Sequence, residues 1–223
     1  MWEYIYIFVE RSSDITEALL RHLYISGVSV LLGCLVAIPL GIFITKTTYQ
    51  WIRSTVFTIT NIFQTIPSLA MLAIFIPLIG IGMKPAIVAL FLYSLLPILR
   101  NTYAAFESIE PGIIEAAKGM GYSSLQRLVQ IEFPLALPYI MSGIRLTTVY
   151  IINWATLAAL IGAGGLGQLI IGGMGVNNKP LILAAAILSM VLALVVDFLF
   201  GGLEKALLKR DRSEQQLPHL EGK

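Results

Sequence analysis

The run LYISGVSVLLGCLVAIPLGIFIT, Leu23–Thr45, holds 23 residues without a charge. As a helix it spans roughly 35 Å at ~1.5 Å per residue, enough to cross a hydrocarbon core of about 30 Å. Further apolar stretches follow it. Ser54–Met83 is uncharged over 30 residues and contains Pro67 and Pro77. It is too short for two spans and longer than one needs, so it reads as a kinked or broken helix with a re-entrant end. Pro85–Leu99, continuing to about Ala104, is a third, and Leu135–Ile161 and Pro180–Leu203 complete the set. Only 13% of the chain is charged, against about 25% in a soluble domain. The chain therefore has too little charge to cover a water-facing surface. These observations predict an all-α integral membrane protein with five transmembrane helices, or six if Ser54–Met83 divides.

The first 22 residues carry Glu3, Glu10, Arg11, Asp14, Glu17 and Arg21, with no apolar core before a small-residue cleavage site. This predicts an uncleaved first span, preceded over residues 1–18 by an amphipathic segment at the interface. The lone Cys34 sits in an apolar run and reads as a small buried hydrophobe, with no disulfide framework and no thiolate metal site. With the N-terminus outside, one face receives ten Lys and Arg residues and the other four, leaving Arg145 inside a span. The positive-inside rule then puts the connection from Arg100 to Phe133 in the cytoplasm, together with the polar tail of residues 204–223. His22 and His219 have no ligand neighbours at useful spacing and read as interfacial and tail residues. No basic patch with interleaved aromatics points to nucleic acid.

The connection over about residues 105–133 is too long for a structureless loop and reads as two short helices. Pro111 suits the first turn of one, which ends at Gly119 or Gly121. Ser123 caps the other, with Gln126 completing a capping box. Leu125, Leu128 and Val129 share one face of it. Glu115, Ala116 and Ala117 lie on the first helix, where small side chains let another surface come close. A plain helical connector fits the same pattern.

Glu115-Ala116-Ala117, then Gly121, then Ile131 and Pro134 resemble the EAA signature of binding-protein-dependent ABC importer permeases. Phe133 stands where that pattern usually has Leu. The resemblance covers about residues 19–203 and implies the type I ABC importer topology. It makes the cytoplasmic connection a coupling helix, with Glu115, Ala116, Ala117 and Gly121 as the residues that meet a motor. The partners it implies are a cytoplasmic ABC ATPase dimer, a second permease subunit (identical or paralogous), an extracellular solute-binding protein and the bilayer of a bacterial plasma membrane. ATP and Mg would sit on the ATPase, with no cofactor and no bond chemistry in this chain. A G-x-x-x-x-G-K-[ST] string is absent from the sequence, in keeping with a separate motor. GAGGLG, Gly162–Gly167, matches a dinucleotide fingerprint but follows a hydrophobic helix and lacks an acidic ribose partner about 20 residues on. Its glycines suit a tight turn at the outer end of the fourth span.

QTIPSLAMLAIFIPLIGIG (Gln64–Gly82), PAIVALFLYSLLPILRNTY (Pro85–Tyr103) and WATLAALIGAGGLG (Trp154–Gly167) resemble the permeases of the glycine betaine/carnitine/choline group. That resemblance implies quaternary ammonium solutes moved by alternating access, with an amino acid or other small solute as the alternative. An ion-coupled carrier and a membrane scaffold remain as rival classes. Gln64, Pro67, Asn153 and Trp154 are candidates for a solute path, with helix packing as the other reading. Tyr93, Tyr150 and Trp154 offer either packing rings or aromatic faces for a cation. Arg145 and Asp197, the charges inside spans, are candidates for a pair, for snorkelling to the interface, or for a solute contact.

Overall fold

The computed structural model describes the backbone of residues 2–216 and the side chains from Tyr6 to Ala206. Every described element is helical: α1 (Trp2–Glu10), α2 (Ser12–Lys46), α3 (Gln50–Thr65), α4 (Ser68–Ile79), α5 (Met83–Glu107), α6 (Pro111–Gly119), α7 (Ser124–Arg127), α8 (Phe133–Ala155), α9 (Leu166–Gly175) and α10 (Lys179–Gln216). A π turn over Leu128–Glu132 leads into α8, and a 3₁₀ turn over Leu157–Ile161 follows it.

Among the described residues, four stretches are long and apolar enough to cross a membrane: α2, α5, α8 with the turns before it, and α10. The pair α3 and α4, apolar together but meeting at 97°, is a fifth span if the broken pair counts as one. Within Ser54–Met83 the helix breaks once, between α3 and α4. Pro67 causes the break, because it lacks an N–H and pushes the preceding residue out of the helical region. Ile66 accordingly adopts an extended φ of −70° and ψ of 127°.

α5 is the hub and packs on α2, α3, α4 and α8. Its tightest neighbour is α2, where Ser29, Gly33, Ala37 and Gly41 recur every fourth residue and are all buried. A Cβ on Gly33 would lie 2.0 Å from Ser94 Oγ, and one on Gly41 would lie 2.8 Å from Thr102 Cγ2. The α5–α8 contact is as close, since a Cβ on Gly143 would lie 2.3 Å from Asn101 Cβ. Lipid is as apolar as Leu, so burial alone does not drive helices together in a bilayer. Close backbone approach and van der Waals packing do that work.

Two boundaries differ from the sequence reading. Residues 12–18, expected along the interface, form the first turns of α2 itself, after a break at Arg11. α1 turns back onto the outer end of α10, where Ile7 packs with Leu181 and Ala184. The expected polar tail continues as helix to Gln216, and His219 lies outside the described residues.

The packing predicts an asymmetry among glycines of one helix. Gly33→Leu and Gly41→Leu each lower stability by about 1–3 kcal/mol, the usual range for overpacking. Gly27→Leu, with nothing within 4 Å of an added Cβ, leaves it unchanged. Melting of the purified protein in detergent checks this, and equal losses at all three positions would refute the seam.

Candidate functional site

The cytoplasmic connection is a built structure. Pro111 stands in the first turn of α6, and α6 ends in a Schellman turn. Tyr122 N–H donates to the Ala117 carbonyl at 3.1 Å and Gly121 N–H to the Lys118 carbonyl at 3.0 Å. Gly121 takes φ +82°, which L side chains rarely adopt. Ser123 then caps α7 with a reciprocal capping box to Gln126. Ala117 is buried, while Glu115, Ala116, Met120 and Gly121 face out. Leu125, Leu128 and Val129 do not share one face as the helical spacing suggested. The π turn holds one extra residue per turn. Leu128 packs inward on the cluster of Ala105, Phe106, Ile109, Ala136 and Ile140. Leu125 and Val129 stay exposed with Met120. The base of this platform is tied to α2 by an ion pair between Lys46 and Glu132. Glu132 is 3% exposed, and the amphipathic look of its segment hid that burial.

Deeper in the bundle the structure joins Gln64 to Trp154. Pro97 removes the N–H that would bond the Tyr93 carbonyl, and Gln64 Nε2 donates to that carbonyl instead. Tyr93 Oη donates to the Ile66 carbonyl at the α3–α4 break. Trp154 stacks on Tyr93 with centroids 5.7 Å apart and planes at 6°. Gln64, Tyr93, Pro97, Thr147, Tyr150, Ile151 and Trp154 surround a small pocket of about 50 Å³. Two other candidates do not join it. Pro67 forms the break, and the Asn153 carbonyl accepts from Thr156 at the end of α8.

At the outer end, GAGGLG makes a tight turn with Gly162, Gly164 and Gly165 all at positive φ. A Cβ on Gly167 would lie 2.0 Å from the Thr156 carbonyl oxygen. His22 holds this turn in place, which corrects its reading as interfacial: it is fully buried. Leu166 N–H donates to Nδ1 at 3.3 Å, so the proton sits on Nε2, 2.9 Å from the Ile152 carbonyl. One neutral imidazole thus joins α2, α8 and the glycine turn. No ligand spacing in the sequence marks this role.

Arg145 and Asp197 form a bidentate pair, with both N···O distances 2.7 Å. Glu204 joins them at 3.2 Å from Nη1. The sequence reading missed Glu204 and Gly201. With Asp197 they lie at i, i+4 and i+7 on α10, and that spacing is the signal that would have found them. A Cβ on Gly201 would lie 2.9 Å from Arg145 Nη1, so the glycine makes room for the guanidinium.

Residues 37–209 match the family described as binding-protein-dependent transport system inner membrane component. The chain belongs to this family. The permease is 45% identical over 197 residues to the carnitine transport permease protein OpuCB of Listeria monocytogenes, covering 88% of this chain and 89% of that one. It is 46% identical over 185 residues to the glycine betaine/carnitine/choline transport system permease protein OpuCB of Bacillus subtilis, covering 83% and 84%. Its fold matches the inward-facing methionine ABC transporter MetNI with a TM-score of 0.82 at 24% identity, over 89% of this chain and 98% of that one. The type I importer topology inferred from the EAA pattern is therefore the permease's fold.

Two predictions follow from the clamps. His22→Ala leaves the Leu166 N–H and Ile152 carbonyl without partners and destabilises the permease by about 1–3 kcal/mol; thermal melting measures it. Asp197→Ala and Arg145→Ala each lower the folded yield, and the double variant loses less than the sum. Strictly additive losses would show that the pair seen here carries no coupling.

Proposed function

We propose that this permease forms one half of the membrane path of an ATP-driven importer for quaternary ammonium solutes: glycine betaine, carnitine and choline. What carries the proposal is identity of 45–46% to relatives named for those solutes, over more than four-fifths of each chain. A second permease, identical or paralogous, completes the path. A soluble binding protein delivers the solute outside, and a cytoplasmic ATPase dimer holds ATP and Mg. Among solved relatives of this fold, a bacterial alginate ABC transporter is seen in complex with a periplasmic protein carrying alginate pentasaccharide. No residue of this chain makes or breaks a bond.

The α6–α7 platform is the coupling element in this reading. Ala117 and Ile114 seat it on the membrane domain, and Ala116, Met120, Leu125 and Val129 are offered outward. Exposed apolar side chains beside a small-residue face suit a groove on a motor subunit. Gly121 sets the angle between α6 and α7, so its positive φ matters more than any one charge. Glu115 near the start of α6 gains only about 0.3–1 kcal/mol from the helix dipole. Loss of function on changing it would therefore come from the partner contact.

Gly121→Val, and more mildly Glu115→Lys, leave the membrane helices inserted. Either variant loses the ATPase subunits or loses the rise in ATP hydrolysis caused by loaded binding protein. Co-purification and hydrolysis with and without binding protein check this, beside uptake of labelled glycine betaine, carnitine and choline. Full stimulated hydrolysis and uptake in Gly121→Val would reduce the platform to a connector. Uptake of amino acids alone by the native complex would overturn the solute class.

A further inference from the structure

One flank of the molecule is ill suited to lipid. Along α3, Ser54, Thr58, Asn61 and Thr65 recur at helical spacing and are all exposed. Polar groups at this depth face protein or water in a stable membrane protein. The same flank continues across α5 to α8, where Tyr150 and Trp154 stand one turn apart, 51% and 38% exposed. Gln64 of α3 and Trp154 of α8 border the same pocket, so the polar stripe and the aromatic pair are neighbours.

The aromatic pair is held rigidly. One face of Trp154 lies flat on Tyr93, and Tyr93 is anchored through its hydroxyl to Ile66. Trp154 stays 38% exposed beyond that stack, with the Tyr150 ring one turn away.

The acids within the bundle are already engaged. Asp197 and Glu204 hold Arg145, and Glu132 holds Lys46. Glu107, exposed at the end of α5, has no ion pair, and a permanent cation deeper in the bundle meets no unpaired carboxylate among the described residues of its spans. A trimethylammonium group has no N–H to donate and spreads its charge over methyl groups. The side chain that best matches it is the face of an aromatic ring, Trp above all.

We propose that Trp154 and Tyr150, backed by Tyr93 and Gln64, form a weak transit site for the trimethylammonium group inside the membrane domain. This deepens the reading of the permease as a quaternary amine importer and rests on it. The site holds its solute loosely, because transport needs release as well as capture. Affinity resides in the binding protein, and the aromatic face lowers the barrier to passage.

The test has two arms. In the first, uptake by the reconstituted complex is measured at saturating loaded binding protein, so that capture does not limit the rate. Trp154→Leu lowers maximal choline uptake about tenfold, in the range that loss of one cation–π contact allows, and Trp154→Phe keeps most of it. In the second, Trp2→Phe and Trp51→Phe leave Trp154 as the only tryptophan of this chain, and the emission it adds over a Trp154→Phe background is read in the complex without binding protein. Millimolar choline changes that emission saturably, and 3,3-dimethylbutanol, its uncharged carbon isostere, does not. Equal responses to both compounds, or wild-type uptake in Trp154→Leu, overturn the site while leaving the importer reading intact. Absence of quaternary amine uptake by the native complex overturns both.

Discussion

The close approach of α2 to α5 sets the position of everything else. Ser29, Gly33, Ala37 and Gly41 let the two backbones meet along four turns. With no hydrophobic drive between helices in lipid, that contact must be made of fitted surfaces. Once α5 is fixed against α2, its other sides define where the remaining spans go. α8 docks through Gly143 at Asn101, and the bent α3–α4 pair lies on the flank of Tyr93. A single bulky residue in the α2 row would therefore displace several helices at once.

The bundle's internal polar groups form a second layer of constraint. Proline frees carbonyls that lipid cannot solvate, and each must find a donor. Gln64 supplies one at Tyr93, and the Tyr93 hydroxyl supplies one at Ile66. The two bonds cross between α3 and α5 in opposite directions and brace the break at Pro67. His22 does similar work at the outer end by serving one donor and one acceptor from two different segments. Arg145, placed beside Gly201, is met by acids from two turns of α10. Polar side chains inside the membrane here act chiefly as braces.

Much of this was legible in the sequence, and the reason is period and capping. Uncharged runs gave the spans, because bilayer thickness fixes their length. Pro111, Ser123 with Gln126, and Gly121 marked the cytoplasmic turns, because caps are local chemistry. The cost of isolated charge in lipid marked Arg145 and Asp197 as candidates for a pair, beside snorkelling and a solute contact. What stayed hidden depends on which helices meet. Nothing near His22 in the chain announces Leu166, 144 residues on. Glu132 looked like part of a solvated face, and only the proximity of Lys46 explains its burial. Nothing near Gln64 shows that it serves the Tyr93 carbonyl, left free by Pro97 on a neighbouring span.

These arrangements join the α6–α7 platform to the far end of the bundle. α8 begins where the π turn leaves the platform and runs unbroken for 23 residues to Ala155, roughly 34 Å at ~1.5 Å per residue. On the way it carries Arg145, the Tyr150 and Trp154 faces, and the Ile152 carbonyl that His22 grips. A close-packed helix of that length moves as a body, since its core contacts are not continuously deformable. The Lys46–Glu132 pair couples the same base to the inner end of α2, and His22 couples its far end to the outer part of α2. α2 and α8 are thus pinned to each other at both ends.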